Sequence, residues 1–372
     1  MVLYIVIAAL AVLIGYRIPD KENPYNNRII AGDRDSVVSR ICLAGLFMLL
    51  FLPLFLRIDT GNDYPTYIER FHDIVRGNYV VTEKGFNLVV RFIYYLFNCE
   101  NYLAVFGFFG FFTILVFLYA IYKESHSFFL SLLLFICLGL YFQCFNTVRY
   151  YFALSLVLFA MGFAVRGKYV RFILVVLFAS LFHKSSLVVI PIYLLSKINW
   201  KAYFYVIFGF VAATGPVLKD YYMSLFLRLY PSYEKEEGYI EAGGLSIVSI
   251  IRCAAVLLIC LFFFRDTIKE NKENRFYFNL NFFALLGYSF FYFIPFVSRI
   301  GYYMTISHIL FIPSLLREVK DEKKRNILKA AVIAGAVIYF ILFLFRCYDD
   351  YIKILPYNTF LFKDISFVGL ED

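Results

Sequence analysis

Arg57-Ile58-Asp59-Thr60-Gly61-Asn62-Asp63 puts one cation and two carboxylates within seven residues, directly after the uninterrupted apolar stretch Ile41 to Leu56. A guanidinium there can bind an anion, and a carboxylate can take a proton. The same composition also makes an ordinary polar loop. Glu83, Arg91, Arg149, His183, Lys184 and Arg299 offer related chemistry further along. Arg149 opens an apolar run in Phe145-Asn146-Thr147-Val148-Arg149, and Arg299 in Val297-Ser298-Arg299-Ile300 is flanked by apolar runs on both sides. Which of these groups can act together depends on the elements that carry them.

The composition sets the class. The 372 residues are 62% hydrophobic, with 46 Phe and 32 Tyr against a single Trp, well above the roughly half apolar content of a soluble domain. This predicts an all-α, polytopic integral membrane protein forming one membrane domain over residues 1–372. Met1 to Tyr16 has no basic residue before its apolar run and no small-residue cleavage site, so it reads as a retained span rather than a signal peptide.

The net charge of +9 does not point to nucleic acid, because Lys and Arg concentrate in short loops between apolar segments. The basic clusters are Arg17 to Arg40, Lys123, Arg166 to Arg171, Lys197 with Lys201, and the pair Arg265 to Arg275 and Arg317 to Lys329. Placing them all in the cytoplasm predicts about twelve spans of about 20 residues each. Ten lie near 2–16, 38–56, 101–122, 127–144, 147–165, 202–218, 245–264, 277–296, 300–316 and 327–346. Gly85 to Phe97, with Arg91 at its centre, is too short to cross and reads as an interfacial or re-entrant helix. Between Arg171 and Lys197 the chain must leave and return, giving two legs of about 18 Å each. The tip of that short hairpin is Phe182-His183-Lys184-Ser185-Ser186. This topology puts loops 57–100 and 219–244 outside and 17–40, 265–275 and 317–329 inside. The acidic, Tyr-rich part of 219–244 could serve as a lid or an acceptor surface.

Other signals are weaker. The seven cysteines form no CxxC pair and read as small core hydrophobes, so neither a metal site nor a disulfide framework is indicated. Gly107 and Gly110, or Gly243 and Gly244, could let helices approach closely. No glycine pattern matches a phosphate loop, and HExxH and GxSxG are lacking.

Taken singly, each cation at a span end has a plain explanation, since arginine snorkels to headgroups. Together, several separated segments deliver cations to one face while Asp59, Asp63, Glu83 and His183 supply proton acceptors. Guanidinium groups match phosphate oxygens two at a time, so converging arginines suit a lipid diphosphate.

The ordered motifs Arg57-x-Asp59-x-Gly61-x-Asp63-x-x-x-Tyr67, Glu83-Lys84-Gly85-Phe86, Phe145-Asn146-x-x-Arg149, Phe182-His183-x-Ser185-Ser186-Leu187 and Ser298-Arg299 resemble the EpsG family of Wzy-like bacterial polysaccharide polymerases. The resemblance runs from about residue 2 to 346. It implies a glycosyltransferase of exopolysaccharide, capsule or O-antigen assembly in the bacterial cytoplasmic membrane, joining undecaprenyl-diphosphate-linked repeat units on the outer face. Its partners would be a lipid-linked donor and acceptor, membrane lipid, and chain-length regulator and flippase proteins, with no cofactor and no nucleic acid. The sequence departs from the family at Lys184, where the residue varies, and at Tyr150-Tyr151, where a glutamine commonly follows the arginine. The expected roles are Arg57, Arg149, Arg299, Lys184 and Arg91 on the diphosphate, without a metal. Asp63 or His183 would be the general base, helped by Asp59 and Glu83. Two other classes stay open. A flippase of lipid-linked sugars would want charges through the midplane or repeat symmetry. A multi-pass acyltransferase would use a His-Asp pair, for which His72-Asp73 is the candidate.

Overall fold

The computed structural model describes residues 1–20, 36–229, 244–295, 297–349 and 352–362. Among the described residues the fold is almost entirely helical. Val2–Tyr16 (α1) and Val37–Phe55 (α2) are followed by two amphipathic helices, Tyr64–Arg76 (α3) and Lys84–Phe97 (α4). Tyr102–Glu124 (α5) and Val148–Val165 (α8) are joined through Phe128–Cys137 (α6) and Leu140–Gln143 (α7). Tyr169–Ser180 (α9) leads through a 3₁₀ turn, Lys184–Val188, into Val189–Ser196 (α10), then Ala202–Ala213 (α11) and Lys219–Leu229 (α12). The second half contains Ile247–Phe263 (α13), Arg265–Glu270 (α14), Lys272–Phe290 (α15), Val297–Thr305 (α16), His308–Arg317 (α17) and Glu322–Arg346 (α18). The one sheet among the described residues pairs Arg57–Ile58 (β1) with Asn358–Thr359 (β2), antiparallel.

Side-chain caps start several helices where the sequence supplies Ser, Asn or Asp. Ser36 accepts from the Ser39 amide, Asn101 from Ala104, Asn271 from Glu273 and Asn274, and Asp321 from Lys324. The central helix is α8, buried along nearly its whole length against α5 and α9. Gly107 and Gly110 bring α5 onto α2: a Cβ at Gly107 would meet the Phe55 ring at 2.6 Å. Gly243 lies outside the described residues. Polar groups inside the bundle are spent on neighbouring helices, as with Tyr141 Oη to the Leu50 carbonyl at 2.9 Å and Asn279 Nδ2 to the Ser196 carbonyl at 2.8 Å.

Four of the twelve expected passes, α2, α5, α8 and α18, are helices long and apolar enough to cross a membrane. The rest are shorter, broken or less apolar. The stretch 127–144 divides at Gly139, whose φ of +76° ends α6 and leaves α7 as a short continuation. The stretch 300–316 divides between α16 and α17. The stretch 277–296 falls largely in α15, which buries Asn279 and Asn281, and the final helix begins at Glu322, inside the loop expected over 317–329. The segments 85–97 and 171–197 form the short elements expected of them. α4 is one short amphipathic helix, and α9 and α10 make short legs around a 3₁₀ tip. Together these make the chain an all-helical membrane protein.

Among the described residues, the loops carrying Arg166, Lys197, Glu273 and Arg317 gather at one end of the bundle. Arg166 pairs with Glu124 (Nη2 to Oε1, 3.0 Å), and Lys197 Nζ donates to the last carbonyls of α8 at Ala164 and Val165, 2.8 and 3.1 Å away. His126 accepts from Arg317 at Nδ1 (2.9 Å) and faces Glu273 at Nε2 (3.6 Å). Arg149, at the start of α8, is therefore about 26 Å along the helix from this basic end.

Candidate functional site

Residues 57–100 form a layer over the end of α5 and α8. On α3, Tyr64, Tyr67, Phe71 and Ile74 recur at helical spacing and are buried; Phe86, Val90 and Ile93 do the same on α4. They pack with Phe106 and Phe109 of α5, Val148 and Phe152 of α8, and Phe182. This packing explains the i, i+4 spacing of Asp63 and Tyr67. The Asp63 amide donates to Asn146 Oδ1 at 3.1 Å, and Tyr67 Oη, one turn on, accepts from the Arg149 amide at 3.3 Å. Two backbone approaches leave no room for a side chain. A Cβ at Gly61, whose φ is +107°, would lie 2.4 Å from the Phe145 carbonyl oxygen, and one at Gly85 would lie 2.8 Å from that of Leu181.

The layer delivers Glu83 to Arg149. The Arg149 guanidinium pairs with Glu83 Oε2 and lies over the Phe86 ring, 5.1 Å from its centroid, with Tyr67 at 6.0 Å. Glu83 Oε1 accepts from the Lys184 amide at 3.1 Å. One carboxylate thus ties the start of α8 to the tip of the α9–α10 hairpin. His183, in the same tip and outside the candidate spans, is buried, with Nδ1 2.7 Å from Ser185 Oγ. Ser185 Oγ is 3.2 Å from Tyr303 Oη on α16, and Nε2 of the imidazole makes no hydrogen bond among the described residues. Burial, reinforced by the nearby charges of Arg299 and Arg149, holds this imidazole well below its ordinary range, so it is neutral. Tyr150 closes the group: its ring meets the His183 ring edge-on at 5.2 Å, and its hydroxyl donates to the Arg299 carbonyl at 2.7 Å.

Glu83, Arg149, His183 and Arg299 are therefore brought together, with Lys184 at the exposed rim. Asp63 stands at the same end of α8 through Asn146, partly exposed. Other expected site residues are placed differently. Arg57 is turned inward, 2% exposed, between the rings of Phe106 (4.8 Å) and Phe145 (5.5 Å), beside a cavity of about 10 Å³ shared with Thr113 and Cys144. Asp59 is exposed, at a φ of 43°. Arg91 is exposed and reaches the Ile74 carbonyl near the end of α3 at 3.4 Å. His72, of the His-Asp candidate, is 3.0 Å from Glu100. Within 219–244, residues 230–243 lie outside the described residues; Tyr221 and Tyr222 sit on α12.

Two contributors were not foreseen. Tyr303 could not be told from the other tyrosines, because nothing in its local sequence marks it. The other is the segment 352–362, which folds back under the Asp59–Asp63 loop: the Gly61 and Asn62 amides donate to the Lys353 and Ile352 carbonyls at 2.9 and 3.2 Å.

The order and contacts of these motifs agree with a match to the EpsG family model over residues 40–359, most of the chain. The chain belongs to the EpsG family. It is thus a member of a Wzy-like polysaccharide polymerase family. The matched span includes the folded-back segment to residue 359, as well as every motif from Arg57 to Arg299. Comparison with curated proteins and with solved structures finds no match. In this EpsG-family chain the motifs are neighbours in space: Asp63 and Tyr67 meet Asn146 and the Arg149 amide, Glu83 meets Arg149 and the Lys184 amide, and Tyr150, next to Arg149, meets the Arg299 carbonyl.

Proposed function

We propose that this end of the bundle faces the outside of the bacterial cytoplasmic membrane and joins undecaprenyl-diphosphate-linked repeat units by glycosyl transfer. The observation that carries the reading is the Glu83–Arg149 pair, tied to the Lys184 amide and bordered by His183 and Arg299. Guanidinium groups on separate elements suit the two phosphates of a leaving diphosphate, and a neutral imidazole beside them suits a proton acceptor.

In this scheme the acceptor hydroxyl oxygen bonds to the anomeric carbon of the donor sugar as the bond from that carbon to the diphosphate oxygen breaks. The electron pair stays on the diphosphate, which Arg149 and Arg299 neutralise, with Lys184 at the rim. The hydroxyl proton passes to His183 Nε2 or to the Asp63 carboxylate. Glu83 holds the Arg149 side chain in position until the diphosphate takes over part of its hydrogen bonding. Arg57, buried a layer behind, supports the Asp59–Asp63 loop rather than touching substrate.

Purified protein supplied with a lipid-diphosphate-linked repeat unit tests this. Removing a group that stabilises developing charge lowers turnover by roughly 10²–10³-fold, which is the drop in polymer formation expected for Arg149→Ala and for Arg299→Ala. Arg91→Ala, whose side chain is turned toward the end of α3, should stay within about threefold. Undiminished polymer from Arg149→Ala would remove that residue from the reaction.

A further inference from the structure

Segment 352–362 spends most of its hydrogen bonds on the loop that leads to Asp63. Arg57 and Ile58 pair with Thr359 and Asn358, the Phe360 amide donates to the Leu56 carbonyl at 3.1 Å, and the Gly61 and Asn62 amides donate to the Lys353 and Ile352 carbonyls at 2.9 and 3.2 Å. Thr60, fully buried, joins loop to segment: its hydroxyl donates to the Ile58 carbonyl at 2.9 Å and accepts from the Asn358 amide at 3.2 Å. Two of the three non-glycine residues with positive φ among the described residues belong to this contact, Asp59 in the loop and Lys353 in the segment, both at 43°. Such conformations are costly and persist only where the surroundings hold them.

The segment is anchored in turn on three helices. Tyr4 Oη of α1 donates to the Ile354 carbonyl at 2.6 Å, Tyr357 Oη donates to the Pro53 carbonyl of α2 at 3.0 Å, and the Leu355 amide donates to the Cys347 carbonyl, just past α18, at 3.1 Å. What this frame presents is Asp63. An aspartate at the start of a helix ordinarily caps it, yet the Asp63 carboxylate makes no capping bond to α3, and no other hydrogen bond or ion pair among the described residues. Its backbone is fixed, with the amide on Asn146, while the residue stays partly exposed. An ionised carboxylate only accepts hydrogen bonds, which suits it to a sugar hydroxyl.

We propose that the segment 352–362, acting through Thr60, is a positioning element of the reaction: it holds the Asp63 carboxylate where it accepts a hydrogen bond from a hydroxyl of the acceptor saccharide. This rests on the glycosyl-transfer reading above. Helices α1, α2 and α18 thereby bear on the site without touching substrate.

Polymer formation by the purified full chain, with a lipid-diphosphate-linked repeat unit as probe, tests this through a double-mutant cycle. Thr60→Val keeps the side-chain shape and removes both bonds, so kcat should fall roughly tenfold with KM little changed, while Thr60→Ser should stay within about threefold of wild type. Asp63→Asn should cost roughly 10²-fold. Adding Thr60→Val to it should cost less than about twofold more, because a residue that acts through Asp63 has nothing left to position. Tyr357→Phe loosens the segment from α2 at a distance from the loop and should lower kcat by roughly fivefold, which keeps the test open if Thr60→Val does not fold. Losses that multiply in the double variant, or full kcat in both Thr60→Val and Tyr357→Phe, would make the segment mere scaffold and overturn the proposal, with polymer from wild type leaving the glycosyl-transfer reading in place. A wild type that makes no polymer would overturn both.

Discussion

Arg149 is a charge placed at the start of a buried helix and made tolerable by what surrounds it: the Glu83 carboxylate, the Phe86 face and a backbone amide satisfied by Tyr67. His183 is governed from the other side, through Ser185. If Nδ1–H donates to Ser185 Oγ and Ser185 donates to Tyr303 Oη, Nε2 is left bare to take a proton; Ser185→Ala removes that choice of tautomer. We expect Ser185→Ala to lower kcat by roughly tenfold with KM little changed, as for loss of a group that orients a base. An unchanged kcat would take His183 out of the base role. The pH profile gives an independent check. Folding holds this imidazole below its ordinary value of about 6.5, so its contribution to stability is intact above that pH and declines as pH falls toward the folded value. For the same reason kcat/KM should stay level between roughly pH 8 and 6. An acid limb centred at or above about pH 6.5 that vanishes in His183→Gln would contradict it. Arg149, His183 and Arg299 were legible because a charge in or beside an apolar run is conspicuous. Arg57 was misplaced for a physical reason: sequence shows that a cation follows α2 but not which way it turns, and two phenylalanine faces draw it inward.

At the scale of elements, the site depends on two glycines that permit backbone contact. Gly85→Ala would press a methyl onto the Leu181 carbonyl, which is backbone and cannot swing aside, so we expect a loss of about 1–3 kcal/mol. Gly61→Ala adds the strain of its positive φ to a similar clash with Phe145. Thermal unfolding in detergent measures both, and a Gly85→Ala midpoint equal to wild type would mean that α4 does not dock on the hairpin tip. The docking helix and the hairpin were legible, because a 13-residue apolar run with a central arginine cannot cross and two short legs between basic clusters must turn back. The breaks near Gly139 and Ile306 were not. Their runs remain apolar on both sides, so hydropathy reads through a point where backbone conformation ends the helix. Nor was the pairing of β1 with β2 legible, since a two-residue ladder between positions 300 residues apart leaves no local pattern.

At the scale of the whole molecule, α8 separates two ends with different chemistry. One gathers Lys197, Arg166, Glu124, His126, Glu273 and Arg317; the other gathers Glu83, Arg149, His183 and Arg299. Charge bias made this polarity legible before any coordinates, because the basic loops fall on one side only if the intervening segments alternate or turn back. The side of the membrane each end faces decides the function, and it can be measured together with the reaction. In a strain whose surface polymer depends on this gene, Arg149→Ala should leave single lipid-linked repeat units accumulating on the outer face, accessible to an impermeant sugar-oxidising reagent in intact cells, with no long chains. Accumulation of those units on the inner face would contradict the polymerase site and point to a flippase, and normal polymer would contradict the role of Arg149.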